Sequence, residues 1–331
     1  MPKSTDEPEN DRTMKLRRYT LYLLAAGVLA ACAEPDPEGA PAPGSGTARI
    51  TLLREETKDI SAYAFRRQDG LFLFDTLLRE GWTPDGRLSA RMRSGCYKFL
   101  FVSGAGENLS LRPEPFTRQT AWEEAVFALR ENAAAPGTYL PADELFLQFP
   151  ASDADKVYTV AGTDQTIRAR LSRAVCRIGI TVKRGFHDGT GYVEVPYAKP
   201  QSVLDRIGRI ELTVSGTGSG ISPSGSRGTA VVTASFSAAQ YTELTDGGFA
   251  RFDGPYVIPP ADGTDVGLEL SVAPAAGAAL QPAHLQLTGR AERNKRLDIT
   301  LWITSDYPMI GVEIRTAPID REQEGDAGIW E

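Results

Sequence analysis

Three thiols, two imidazoles and a scatter of carboxylates and hydroxyls are the groups in these 331 residues able to do chemistry. The imidazoles, His187 and His284, lie far apart in the chain, so the paired-histidine spacing of a helical zinc site is missing. His187 stands in Phe186-His187-Asp188-Gly189, the composition of a solvated turn. No serine has glycine both two places before and two places after it, as a nucleophile elbow requires. Phosphate-cradling and dinucleotide glycine patterns are missing too. Asp153 with Asp155 and Glu123 with Glu124 sit in polar or surface contexts, which leaves a carboxylate pair assembled across loops as the remaining route to hydrolysis. Asp262-Gly263-Thr264-Asp265 offers oxygen ligands, but it lacks the loop length and closing carboxylate of a calcium site and reads as a plain turn. These observations point away from an enzyme, a bound metal and a cofactor.

Cys32 differs from the other thiols in what precedes it. Lys15, Arg17 and Arg18 form a positive patch, Leu21 to Leu29 is an apolar run, and Ala30 and Ala31 are small. A membrane-spanning helix needs roughly 20 apolar residues, so this run reads as a secretory leader. Leu29-Ala30-Ala31-Cys32 resembles the lipobox of bacterial lipoproteins, which implies that Cys32 is acylated and becomes the first residue after cleavage. An ordinary secretory leader with a coincidental cysteine is the competing account. Residues before Met14 are acidic and polar, unlike a leader, so Met14 is the expected start. Two or three acyl chains, each worth about 0.8 kcal/mol per buried methylene, would hold the chain on a bilayer. Residues 32–46 make a Pro- and Gly-rich tether reaching roughly 40 Å if extended at about 3.1 Å per residue. Its acidic start, Glu34, Asp36 and Glu38, resembles the surface-export signal of Bacteroidetes lipoproteins; an acidic solvated tether accounts for it equally well.

The elements that follow are mostly short strands between turn signals. The first half reads as strands over Ala48 to Leu53, Ile60 to Arg66, Leu71 to Leu77, Leu88 to Met92 and Cys96 to Ser103. Gln68-Asp69-Gly70 marks a hairpin and Pro84-Asp85-Gly86 a further reversal. One helix is expected, capped by Thr120 and ending near Asn132. The second half opens with one long strand from Thr166 to Lys183, burying Cys176, Ile178, Ile180 and Val182. Strands follow at Gly191 to Val195, Arg209 to Ser215, Thr229 to Phe236, Phe249 to Ile258, Val266 to Ala273, His284 to Leu287, Leu297 to Ile303 and Met309 to Arg315. Gly216 to Gly228 reads as a flexible loop, and the residues after Pro318 as a charged tail. Alternation puts Arg173 and Arg177 on a solvated strand face, with no cleavage expected there.

The expected organisation is a leader over 1–31, the tether over 32–46, a sandwich domain over 47–165 and a second over 166–331. Five basic and four acidic residues precede Cys32, so the formal charge of −7 becomes about −8 from Cys32 onward, which disfavours nucleic acid as a partner. With Cys32 acylated, Cys96 and Cys176 remain; one bridge is open to them, and two buried thiols in different domains is the preferred reading.

Three segments in order behind the lipobox are Gly95-Cys96-Tyr97-Lys98-Phe99-Leu100-Phe101-Val102-Ser103-Gly104, Leu140-Pro141-Ala142-Asp143-Glu144-Leu145-Phe146-Leu147, and Leu171-Ser172-Arg173-Ala174-Val175-Cys176-Arg177-Ile178-Gly179-Ile180-Thr181-Val182. Together they resemble the fimbrial anchor-subunit family of Bacteroidetes, the FimB-like lipoproteins of the fimbrilin superfamily. The resemblance implies a mainly β protein of two transthyretin-like β-sandwich domains in tandem, with the helix as a short insertion in the first. It implies a surface-exposed, lipid-anchored outer-membrane subunit that joins a fimbrial shaft to the membrane by strand complementation and limits its length. Its partners would be outer-membrane lipid, through acylated Cys32, and fimbrial shaft subunits. A surface glycan-binding lipoprotein is the alternative, with Trp82, Tyr192, Tyr197 and Trp302 as aromatic candidates that read better as core or turn residues. An outer-membrane hydrolase is a third.

Overall fold

Alternating burial builds the first half. The computed structural model describes residues 47–54, 60–148, 156–161, 164–169, 171–195, 207–237, 240, 243–244, 250–277, 282–303 and 311–318. In chain order come β1 (Thr47–Arg54), β2 (Ser61–Gln68), β3 (Leu71–Leu78), β4 (Arg87–Arg93) and β5 (Gly95–Ser103), then β6 (Leu109–Arg112), β7 (Val126–Leu129), β8 (Phe146–Leu147), β9 (Tyr158–Val160), β10 (Gln165–Ala169) and β11 (Ser172–Arg173). Asp69 and Gly70 both take positive φ, 49° and 84°, as the tight turn joining β2 to β3 demands. One sheet runs β10-β1-β4 and faces another running β11-β8-β5-β2-β3, with β9 beside β5. Ile50, Leu88, Met92, Ile167 and Ala169 from the first meet Ala62, Ala64, Tyr97, Phe99, Phe101 and Val160 from the second. The rings of Tyr97, Phe99 and Phe101 stack down β5 at 6.0 and 5.9 Å. Leu100 and Val102 of the same strand enter a second core, so β5 is buried on both faces and reads as an unbroken apolar run.

The second half repeats this plan. Its strands are β12 (Cys176–His187), β13 (Tyr192–Glu194), β14 (Ile207–Thr217), β15 (Gly220–Ser222), β16 (Gly225–Arg227), β17 (Ala230–Ser237), β18 (Glu243–Leu244), β19 (Ala250–Val257), β20 (Val266–Pro274), β21 (Ala283–Gly289), β22 (Lys295–Ile303) and β23 (Gly311–Pro318). One sheet runs β18-β19-β12-β22-β23, with β13 on β12, and the other β17-β14-β20-β21. β1 lies between antiparallel β4 and parallel β10, as β12 lies between antiparallel β19 and parallel β22. The order β8-β5-β2-β3 likewise matches β21-β20-β14-β17. The two sandwiches thus share one topology in one chain order, with β23 as an addition to the second.

Four expectations need correction. Instead of a helix from Thr120 to Asn132 there is one 3-10 turn, Trp122–Glu124, followed by β7. The Thr120 hydroxyl is held by the backbone N–H of Thr117 at 3.0 Å, and the Ala121 N–H donates to Glu124 Oε2 at 2.9 Å. Phe127 and Leu129 are buried in alternation, and β7 pairs with β6 on one side and β15 on the other. Tertiary pairing on both edges outweighs the weak helical preference of the run.

Gly216 to Gly228, expected as a flexible loop, holds the end of β14 and the ordered β15–β16 hairpin, with Ile221 fully buried. Gly218 and Gly220 serve close approach: a Cβ on the first would lie 2.7 Å from Ile258 Cγ2 and on the second 2.8 Å from Val126 Cγ1. The strand expected from Thr166 to Lys183 is three pieces, and β10 lies beside β1 instead of heading the second sandwich. Burial falls on Ile167 and Ala169 but then on Cys176, Ile178, Ile180 and Val182, a change from odd to even positions that a regular strand without a bulge does not hold. Finally, Cys176 is buried but Cys96 only partly so; both thiols are free.

The sandwiches are joined through a third sheet, β16-β15-β7-β6, to which each half contributes strands. Backbone bonds reinforce the junction: Leu129 N–H to Ser219 O (2.9 Å), Tyr139 N–H to Val231 O (2.8 Å) and Ala142 N–H to Tyr256 O (2.9 Å). The core that fills the second sandwich continues through Phe127, Leu129 and Trp122 to Phe65, Leu100 and Val102 of the first.

Candidate functional site

Pairing of β20 with β21 brings together chemistry that the linear sequence conceals. His284 lies opposite Ser271, its Nδ1 3.0 Å from Ser271 Oγ and its Nε2 3.3 Å from Glu269 Oε1. The trio has the residue types of a nucleophilic relay, but the ring is reversed: in a working triad the hydroxyl meets Nε2 and the carboxylate Nδ1. His284 and Glu269 are also 54% and 51% exposed, so water competes for every bond. The arrangement is a cross-strand polar ladder on an open sheet face. Nothing local could have revealed it, because the partners are set by strand register.

The remaining chemical candidates fall into structural roles. His187 Nδ1 accepts from the Gly189 N–H at 3.1 Å in an exposed turn. Asp262 accepts from the Thr264 hydroxyl (2.8 Å) and N–H (3.1 Å), bonds that lower its carboxyl pKa and make the expected plain turn. Among the described residues no cluster of three or more His, Cys, Asp or Glu side chains could hold a metal. Trp82 donates to Ile60 O at 2.9 Å and packs on the first core; Tyr192 stacks on the buried Trp302 at 5.4 Å. Tyr197, Asp153 and Asp155, like Leu29, Ala30, Ala31, Cys32 and the whole of 1–46, lie outside the described residues. Arg173, expected on a solvated face, is 6% exposed: its Nε donates to Glu144 Oε1 at 2.9 Å, its Nη1 to Asn294 Oδ1 at 3.3 Å, and its guanidinium covers the Phe146 ring. Arg177 is paired with Asp253 at 2.8 Å.

What remains as a site is backbone. A sheet edge presents unpaired N–H and C=O groups to any strand that can align with it. The insertion between β5 and β8 caps two edges: Thr120 O accepts from Phe74 N–H of β3 at 2.9 Å, and Tyr139 N–H donates to Val231 O of β17. These are equivalent strands of the two sandwiches. The β4 edge carries exposed Arg87, Arg91 and Arg93, charges that discourage pairing. Among the described residues, the outer sides of β10, β21 and β23 have no strand beside them.

The described residues form a tandem of β-sandwiches joined by a shared middle sheet, with the β3 and β17 edges capped by the insertion between β5 and β8. Comparison with known proteins gives the particular family: the family model of "Fimbrillin-A associated anchor proteins Mfa1 and Mfa2" matches residues 47–252, and the chain belongs to this family of fimbrial anchor proteins. Such proteins are associated with the cell surface and with the shaft subunits of fimbriae. The chain is also similar to solved structures. A candidate polysaccharide-binding protein of Bacteroides thetaiotaomicron is 12% identical, with 83% of this chain and 99% of that one covered at a TM-score of 0.50. A candidate adhesin of Bacteroides ovatus is 10% identical, covering 81% and 92% at a TM-score of 0.49. The fimbrial anchor protein Mfa2 of Porphyromonas gingivalis is 12% identical, covering 82% and 98% at a TM-score of 0.45. Comparison with curated proteins gives no match.

Proposed function

We propose that the chain is a surface-exposed outer-membrane lipoprotein that fixes a fimbrial shaft to the membrane through acylated Cys32, joins the shaft by strand complementation, and limits its length. The family match over residues 47–252 carries this reading. The leader-like run ending in Leu29-Ala30-Ala31-Cys32 and the acidic, Pro- and Gly-rich residues that follow support the lipid tether. Uncapped sheet edges support the mode of joining. Replacing Cys32→Ala should abolish palmitate labelling and release shaft polymer into the medium. Fimbriae that stay attached, at unchanged length, in a strain lacking the gene would refute the role.

A further inference from the structure

We infer that the outer face of the β10-β1-β4 sheet docks on the phosphate-bearing headgroups of the bilayer that holds the tether, so that the first sandwich lies against the membrane as well as being tied to it; this deepens the anchoring role proposed above and rests on it. Every charged residue of the three strands is an arginine, although the chain's formal charge is −7: Arg49 and Arg54 in β1, Arg87, Arg91 and Arg93 in β4, and Arg168 in β10. Ile50, Leu88, Met92, Ile167 and Ala169 fill the core, and alternation turns Arg87, Arg91, Arg93 and Arg168 to the outside, where all four are exposed. Arg87 pairs with Asp85 at 2.9 Å; Arg91, Arg93 and Arg168 have no carboxylate beside them among the described residues.

The second sandwich shows the same face neutralised from within. Its equivalent sheet, β19-β12-β22, also turns arginines outward, but Arg177 meets Asp253 at 2.8 Å, Arg251 lies 3.7 Å from the same carboxylate, and Arg296 pairs with Asp298. One fold thus occurs twice in one chain, once with acids built into this face and once with acids left out of it. A face of like charges gains most from an anionic surface set against it. Position selects the bilayer as that surface. β1, the central strand of the three, follows directly on the tether of residues 32–46, which reaches no more than roughly 40 Å from acylated Cys32, so the arginines are held close to the headgroups throughout.

The test uses the chain from residue 32 onward carrying Cys32→Ser, which cannot be acylated, and vesicles of phosphatidylcholine with or without phosphatidylglycerol. Co-sedimentation with the phosphatidylglycerol vesicles alone, lost at high salt, is expected. Arg91→Ser, Arg93→Ser and Arg168→Ser together should weaken it about a hundredfold, at about fivefold for each basic residue, while lysine at the same three positions keeps most of it. Arg315→Ser, which removes an exposed arginine of β23, should change it little. Equal capture by both kinds of vesicle, no capture, undiminished capture of the triple serine variant, or a lysine variant as weak as the serine one would overturn the inference. So would capture that begins only once Glu34, Asp36 and Glu38 are neutralised, since the tether's own acids would then occupy the face. Any of these results with Cys32 still palmitate-labelled in cells would leave the lipid anchor standing and remove only the docking face; an unlabelled Cys32 would remove the anchor itself.

Discussion

Cys176 is buried under the second sandwich, and that burial pushes its thiol up to about 11 from the ordinary value of 9.0. The thiol is neutral in both folded and unfolded chains at neutral pH; above the unfolded value the unfolded chain alone ionises. Folding stability should therefore fall between about pH 9 and 11, by roughly 2–3 kcal/mol at most. Urea melts across that range should show the loss in the natural chain and a smaller one in Cys176→Ala. Arg173→Ala should cost about 3 kcal/mol, because it leaves Glu144 without its guanidinium partner at the junction; chemical denaturation measures it, and a cost near zero would show the pair to be incidental. At this scale the sequence was partly readable. Alternation exposed Cys176 as core, whereas Arg173 looked solvated because its partners, Glu144 and Asn294, come from distant segments.

The β15–β16 hairpin carries the clearest element-scale test. Ile221 is fully buried against β7, so Ile221→Ala should destabilise the protein by about 2–4 kcal/mol, and Gly220→Val should do at least as much by colliding with Val126. If the segment were a loose connector, both variants would melt like the natural chain. Most long strands were legible, since period-two burial and turns such as Asp69-Gly70 are local signals. The hairpin and β7 were not. A Ser- and Gly-rich composition suits both a solvated loop and a backbone that must approach a neighbour closely, and a four-residue strand can share its apolar spacing with a helix. The break between β10 and β12 had a readable signal, the shift of apolar positions from odd to even between Ala169 and Cys176.

Because one core passes from β2 and β5 through the shared sheet into the second sandwich, heating should melt residues from Thr47 onward in a single cooperative transition. Calorimetry showing two separate transitions would mean that the junction couples the halves weakly. The repeated topology was invisible in the sequence, since sandwiches conserve a pattern of pairing and not residue identities. The same pairing has a mechanical meaning. β1 begins at Thr47, and its parallel neighbour β10 leaves toward the second half from the opposite end of the pair. A pull between Thr47 and the second sandwich drags β1 and β10 past one another, so the rungs from Ile50 to Arg54 take the load in shear together instead of opening one by one. Tension along the chain should meet its greatest resistance at this ladder.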